Sequence, residues 1–481
     1  MRLHSFVGCV NRTRWIFRLF LLILFVTLVS AIIGYFRMEN SDHHGYLYFG
    51  HMHGPHHLAG ALMLGRNLIS EEFIPGSYLS GRSLSTSSCN YSFWNPQNGK
   101  EDPWSMLNWN TDLVKPSLEL GESSPYKVVY NILHSSNASK NNIITYCTHA
   151  TPEFLYHISE LLKHWDGSIS VSVYAPGEDA HLAAIIIQRL CNCIPDMHRV
   201  SLHITFPSDL PPKRLLSSVQ LPVDCSPPKN LPETLRHTTG MIYPVNVARN
   251  AAREAAKTSF VLVSDIELQP SAGLSAQFAN LIQRLLERQQ SLQRLNPTGQ
   301  VWTGAGFVYV LPVFEIESGS VIPTTKEDLL KLYSRDRAVF FHRWVCPHCQ
   351  KFPGLQKWLR RKGNAGFLQP LLVVRREYPF HRWEPVYIGT KDEPFYNEEL
   401  SWEGQQDKMT QMDAMCLQGY KFVILDRGFL VHLPGVKRKA AVMANSAWRK
   451  PHEQHNMQLY RGIIQRMLAT VKQPNARCKV Q

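Results

Sequence analysis

The feature that most limits what this chain can fold into is the stretch Phe260-Val-Leu-Val-Ser-Asp-Ile-Glu-Leu-Gln-Pro-Ser271. A wholly apolar run, Phe260 to Val263, leads into two acids, Asp265 and Glu267, and Pro270 then stops the extended backbone. An apolar run this short, bounded by a breaker, predicts a strand buried on both faces, as inside a parallel sheet. Acids at the carboxyl end of such a strand stand where open α/β sheets bind ligands. Spaced at i and i+2, they can converge on one hard cation, which takes oxygen ligands and can hold phosphate oxygens as well.

The flanking sequence supports an α/β fold. Ile143–Cys147, Ser168–Tyr174 and Val200–Phe206 read as strands, separated by helices at Pro152–Trp165 and Asp179–Leu190. That alternation implies crossover connections and a mainly parallel sheet flanked by helices. After a Pro-rich loop (Pro207 to Pro232), the alanine-rich Pro244–Lys257 predicts a helix that runs straight into the acidic strand. Further helices are expected at Leu274–Leu295, Lys408–Leu417 and His452–Val471, and strands at Gln300–Pro312 and Lys421–Leu425. No internal repeat is visible.

At 481 residues the chain has room for two or three domains, and 44% hydrophobic with 19% charged residues is a globular composition. The formal charge of +13 suits an anionic partner. Lys and Arg are scattered rather than blocked, which argues against nucleic acid and leaves anionic small molecules, acidic glycans or a membrane surface. Leu19 to Phe36 is an uncharged apolar run, long enough to span roughly 27 Å as a helix. Arg2, Arg12, Arg14 and Arg18 precede it and only Arg37 follows closely, so the positive-inside rule sends the bulk of the chain to the lumenal side. A cleaved signal peptide would carry a shorter apolar core and a small-residue cleavage site, which Tyr35-Phe36-Arg37 does not provide.

The expected organisation is a cytosolic tail (1–18), a signal anchor (19–36), a lumenal stem (37–124) and a folded domain (125–475). The stem contains His51-Met-His53-Gly-Pro-His56-His57, read as solvated because Gly and Pro give the imidazoles no fixed geometry. Nine of the ten cysteines follow the anchor, so several are expected to pair and at least one to stay free. Asn90-Tyr-Ser92 and Asn137-Ala-Ser139 are lumenal glycosylation sequons, while Asn11-Arg-Thr13 falls on the cytosolic side.

Across roughly Ile143 to Tyr460 a set of short motifs appears in order. They are Tyr243-Pro-x-Asn246-x-x-Arg249-Asn250-x-Ala-Arg253, Asp265-x-Glu267-x-x-Pro-Ser271, Cys346-x-x-Cys349-Gln350 and Trp383-Glu384-Pro385-x-Tyr387. Gly428-Phe-Leu-Val-His432, Gln454-His-Asn456 and Leu459-Tyr460 follow. In this order and spacing the chain resembles glycosyltransferase family 49, which holds β-1,4-glucuronyltransferase-like enzymes and the second catalytic domain of LARGE-type enzymes. The resemblance implies a GT-A-like fold and Mn²⁺ or another divalent cation. It implies UDP-glucuronate as donor, and inverting transfer to a glycan or glycoprotein acceptor, a xylose-terminated O-mannosyl-type glycan being one class it suggests. It also implies a single-pass type II place in the Golgi membrane and, as a partner class, other Golgi glycosyltransferases in complex. Where the family pattern has Asp, this chain has Glu267, one methylene longer. That departure keeps a second function open: a weakened relative that binds UDP-sugar or glycan, or escorts a partner enzyme.

Roles follow from the chemistry that inversion requires. Asp265, Glu267 and His432 are the candidate metal ligands, holding a Lewis acid on the departing diphosphate. Lys437, five residues beyond His432, is a candidate for a phosphate oxygen. Asn246, Arg249 and Arg253 share one side of a helix at i, i+3 and i+7 and are candidates for the nucleotide or donor. Asp407 and Glu384 compete as the base that accepts the acceptor's proton, and Trp383 is the candidate sugar-stacking ring. For each a plainer role stays open: a solvated strand end, a core histidine, a surface lysine, an Arg253–Glu254 pair, a loop cap. Cys346-Pro-His-Cys349 matches a thioredoxin-like active site, but without the surrounding strand order a structural disulfide is expected. His452-Glu-Gln-His455 lacks the spacing of a zinc-protease helix and is read as structural.

Overall fold

The computed structural model describes residues 73–480, apart from 88, 92–113, 137–141, 216, 296–305, 362–365, 434, 439–446 and 472–473. All of these lie in the compact unit Tyr48–Gln481. The expected anchor at 19–36, the histidine tract at 51–57 and the sequons at Asn11 and Asn137 fall outside the described residues. Among the described residues no helix is long and apolar enough to cross a membrane.

Among the described residues, fifteen strands build two sheets. In chain order they are β1 (Asn90–Tyr91), β2 (Val114–Pro116), β3 (Tyr126–His134), β4 (Ile144–Ala150), β5 (Ser168–Tyr174), β6 (Val200–Pro207), β7 (Phe260–Val263) and β8 (Leu268–Pro270). Then come β9 (Phe307–Leu311), β10 (Val313–Ile316), β11 (Ala338–Phe340), β12 (Gln369–Val374), β13 (Val386–Gly389), β14 (Lys421–Asp426) and β15 (Leu430–His432). The large sheet runs β1-β3-β6-β5-β4-β7-β13-β9-β14-β12, with β2 on β3. A small sheet runs β11-β10-β15-β8.

Strands β6, β5, β4 and β7 are parallel neighbours, as the strand–helix alternation requires. The expectation of a mainly parallel sheet is corrected beyond β7, where β13 inserts antiparallel between β7 and β9. β12 and β3 close the two sides antiparallel as well, so the sheet is mixed. The reason is connectivity: β12 and β13 come from the loop-rich stretch after residue 350, where no long crossover helix enforces a parallel return.

Every residue of β4 and β6 is buried, so these strands are covered on both faces. One core gathers around them with the helices His157–His164 and Asp179–Cys193. A second packs Trp358, Trp383, Phe314, Phe422 and Phe429 under β9, β14 and β10. Part of the stretch expected as stem packs onto this body. Gly76 N–H donates to the Glu160 carboxylate at 2.8 Å, Leu79 is buried, and Cys89 is bonded to Cys191. Asn90 of the first lumenal sequon is exposed on β1. Three more disulfides, Cys193–Cys225, Cys346–Cys349 and Cys416–Cys478, leave Cys147 as the free, buried thiol among the described residues. Cys346-Pro-His-Cys349 is therefore a disulfide loop, as expected.

Candidate functional site

Strand β7 ends at Val263 beside Cys147 of β4, and the chain then turns through Asp265 and Glu267 into β8. Tyr146 from β4 pins this turn: its hydroxyl donates to the carbonyls of Leu268 (2.7 Å) and Asp265 (3.1 Å). β8 leaves the large sheet and pairs with β15, setting His432 opposite Leu268. Leu433 N–H donates to the Glu267 carbonyl at 3.2 Å. The small sheet is thus the device that carries a histidine from far downstream onto the acidic turn, leaving His432 Nε2 3.8 Å from Glu267 Oε2.

These groups open into a cavity of about 460 Å³ whose wall includes His149, Arg249, Asp265, Glu267, His342, Trp402, Asp407, Lys408, His432 and Lys437. The Asp265 carboxylate is gripped by three bases. His149 Nε2 and Arg249 Nη2 each lie 3.2 Å from Oδ1, and Lys408 Nζ lies 3.1 Å from Oδ2. Burial alone would raise its pKa, but Lys408, His149 and Arg249 together hold it well below the usual carboxylate range. Burial pushes His149 down, so the ring is neutral. It gives Nε2–H to Asp265 and accepts from the Tyr243 hydroxyl at Nδ1, 2.7 Å away.

Glu267 is handled differently. It is buried, and its Oε1 has no hydrogen-bond partner. A buried carboxylate oxygen left open, with an imidazole nitrogen 3.8 Å from its twin, fits a divalent cation. Two ligands each about 2.1 Å from one ion stand about 3–4 Å apart. The donor set, two carboxylates and a histidine, suits Mn²⁺ or a similar metal. Among the described residues, the three candidate ligands are not drawn as close as 4.8 Å to one another. The set that meets that limit is Cys346, His348 and Cys349, whose two sulfurs are bonded to each other.

Lys437 lines the same cavity, and burial lowers its ammonium below the ordinary lysine value. Glu315 of β10, level with His432 across the small sheet, positions it by accepting the Lys437 backbone N–H at 3.2 Å. The other Glu315 oxygen accepts His342 N–H at 3.2 Å.

The helix Val245–Ala255 shows why its polar stripe recurs. Asn246 donates to the carbonyls of Asn397 and Asp407, and Asn250 to the Tyr396 carbonyl and Glu398. Arg253 donates to the carbonyls of Lys391, Glu393 and Pro394. The stripe clasps the segment 391–407 onto the sheet. Asn246 and Arg253 are buried in that clasp and do not line the cavity, which corrects their assignment to the donor. Arg249 does line it, and bridges Asp265 to Asp407.

Two more assignments are corrected. Trp383 is buried against Phe422 in the second core, 5.7 Å between ring centroids, and no sugar can reach its face. Glu384 is buried behind the Cys346–Cys349 loop, its N–H on the Cys349 carbonyl at 2.8 Å, and is absent from the cavity wall. Burial and the nearby Asp407 push its pKa well above the carboxylate range, which favours the protonated form. Asp407 remains in the wall as the candidate proton acceptor. His149, Lys408, His342, Glu315 and Trp402 went unread. Only Thr-His149-Ala at a strand end carried a usable signal, being the counterpart of the acidic strand end one position away in the sheet.

A family model described as "Glycosyl-transferase for dystroglycan" matches residues 143–471. Beta-1,4-glucuronyltransferase 1 of Bos taurus is 31% identical over 367 residues, covering 73% of this chain and 80% of the relative. The Homo sapiens protein of the same name is 30% identical over 372 residues, covering 75% and 83%. Human xylosyl- and glucuronyltransferase LARGE1 is 21% identical over 306 residues, 62% of this chain and 32% of that longer protein.

Proposed function

This chain belongs to the glycosyltransferase family for dystroglycan, is itself a glycosyltransferase, and on that premise we propose that it transfers glucuronic acid from UDP-glucuronate to a glycan. The names of its relatives support the donor sugar. The observation that carries the reading is the meeting of β8 and β15, which sets His432 beside Glu267 in the cavity that holds Asp265, Lys437 and Asp407. The mixed sheet, with its acidic turn at the end of a parallel strand, supports a GT-A-like assignment.

In this reading Asp265, Glu267 and His432 hold a divalent cation, Mn²⁺ being the best match. When bound it supplies Lewis-acid stabilisation of the charge that develops on the leaving diphosphate. Lys437 adds a positive charge at the same end, from a buried position where it is weakly screened. Arg249 keeps Asp265 and Asp407 at a fixed separation, and Asp407 takes the proton from the acceptor hydroxyl as it attacks the anomeric carbon in line. The neutral His149 orients Asp265 without adding charge.

In this proposal the protein is anchored in the Golgi membrane by the apolar run 19–36 and acts in the lumen on a glycan or glycoprotein acceptor. A fusion of residues 1–47 to a reporter should reach the Golgi with the reporter facing the lumen. The activity test is UDP release from UDP-glucuronate with Mn²⁺ and a xylose-terminated acceptor, abolished by EDTA and by Asp265→Asn. Absence of release across a panel of UDP-sugars, with glycan binding retained, refutes the donor and the metal role together.

A further inference from the structure

We propose that Trp402 is the platform on which the acceptor's sugar ring stacks; this rests on the transferase reading above. Trp402 is the half-buried tryptophan of the cavity wall. One face of its indole is covered by the Arg449 guanidinium, 3.9 Å from the ring centroid. Arg449 is buried and does not line the cavity, and the indole also packs in part against Tyr174, Tyr243 and Val245, so it is the half-exposed remainder of the ring that lines the cavity. A guanidinium behind the ring also leaves the outer face more electron-poor, which suits the weakly polarised C–H groups of a neutral sugar less than bare indole but still far better than an anionic phosphate would be served by a π face. Stacking on an aromatic face is the usual way to bury the apolar side of a pyranose, whose hydroxyls then point sideways to polar partners.

The position of the ring is fixed from several sides. Trp402 N–H donates to the Tyr243 carbonyl at 3.1 Å. The next residue, Glu403, accepts Tyr243 N–H (3.0 Å) and pairs with Arg236 at 2.8 Å. Asn456, from the helix Lys450–Thr470, donates to the carbonyls of Ser401 (2.9 Å) and Gln405 (2.8 Å) and accepts Ser401 N–H. This explains the Gln454-His-Asn456 motif, which had no place in the metal or donor sites. Gln405 and Gln406 both take left-handed backbone conformations, with φ of 61° and 56°. Non-glycine residues hold such angles when surrounding bonds dictate them, and they cluster at binding sites. The strained turn carries the chain from Trp402 to Asp407, so platform and proton acceptor share one rigid loop. The acceptor hydroxyl must meet Asp407, and the cavity's cations Lys408, Arg249 and Lys437 gather around the acidic turn. The aromatic member of that loop is therefore assigned to the neutral acceptor rather than to the diphosphate.

The test uses the whole protein with UDP-glucuronate, Mn²⁺ and para-nitrophenyl β-xyloside. Trp402→Ala should raise the KM for the xyloside roughly 10- to 100-fold, the equivalent of losing one buried aromatic contact, while the KM for UDP-glucuronate stays within about twofold. Trp402→Phe, which keeps a ring, should recover most of the loss. Trp402→Leu, which fills much of the volume without a flat face, should not; this pair decides the matter if the alanine variant fails to fold. An unchanged xyloside KM in the leucine variant, or a rise in the donor KM instead, overturns the inference while leaving the transferase reading intact. A wild-type protein that releases no UDP overturns that reading, and the inference with it.

Discussion

Gly404 and Asn456 offer the sharpest test of how the site loop is held. A Cβ built on Gly404 would lie 2.1 Å from Asn456 Cγ and 2.4 to 2.5 Å from its amide nitrogen and oxygen. Asn456 is 1% exposed and cannot simply swing into solvent. Gly404→Ala must therefore expel the amide and break its three bonds to Ser401 and Gln405. At about 1 kcal/mol each, with buried carbonyls left behind, that loss is about 3 kcal/mol, and overpacking adds about 1. Asn456→Ala removes the same bonds and should cost about 3 kcal/mol. The double variant should cost little more than Asn456→Ala alone, because the obstacle is gone. The coupling between the two positions should thus be about 4 kcal/mol, read from urea midpoints at constant m. Additivity within about 0.5 kcal/mol would refute the argument that Gly404 is there to admit Asn456. Both single variants should also lower turnover, since Trp402 and Asp407 ride on the loop.

Other perturbations have equally definite outcomes. Glu384→Gln should keep turnover, because Glu384 is walled off from the cavity; a folded but inactive variant would restore it as the base. Its raised pKa means that the folded state holds the proton more tightly than the unfolded chain. The associated stability is full below about pH 4.5 and falls as pH rises towards the folded-state value, so Glu384→Gln should flatten the alkaline side of a urea-midpoint profile. Lys326→Ala strips the ammonium from buried Asp426, 2.6 Å away, and from the Trp358 carbonyl, and should destabilise by about 3–5 kcal/mol in the same assay. His432→Ala should abolish the Mn²⁺-dependent rise in melting temperature given by UDP while leaving the metal-free melting point close to that of the unmodified protein.

Most of the regular elements were legible because their apolar patterns are strong and local. Ser168–Tyr174 and Leu274–Leu295 have the same limits in sequence and structure, and Val200–Phe206 differs by one residue. What escaped were strands too short or too loop-bound to show a period. β8, β11 and β15 have three residues each, and β13 has four. Their existence depends on pairing with partners distant in the chain, which no window of sequence reports. The long strand β3 escaped for another reason. Its bulge between Val129 and Leu133, with Asn131 at a φ of 57°, breaks the alternation that would have revealed it.

The site was legible in its charges and not in its ring. Asp265, Glu267, His432, Lys437 and Asp407, which line one cavity, could be singled out in the sequence because a strand end or a motif marks an ionisable group wherever the fold carries it. Trp383 and Trp402 look alike from the sequence: both precede Glu, and both lie in Pro- and Gly-bearing loops. Their fates diverge on contacts made elsewhere. Phe422 and the Arg376 side chain, whose Nε–H donates to the Trp383 carbonyl at 2.7 Å, draw Trp383 into the second core. Asn456 and the Glu403–Arg236 pair instead hold the backbone around Trp402 at the cavity wall. An ionisable side chain announces a site by the expense of burying it. An indole is at home in either place, so only the bonds that fix its backbone decide whether it becomes core or binding surface.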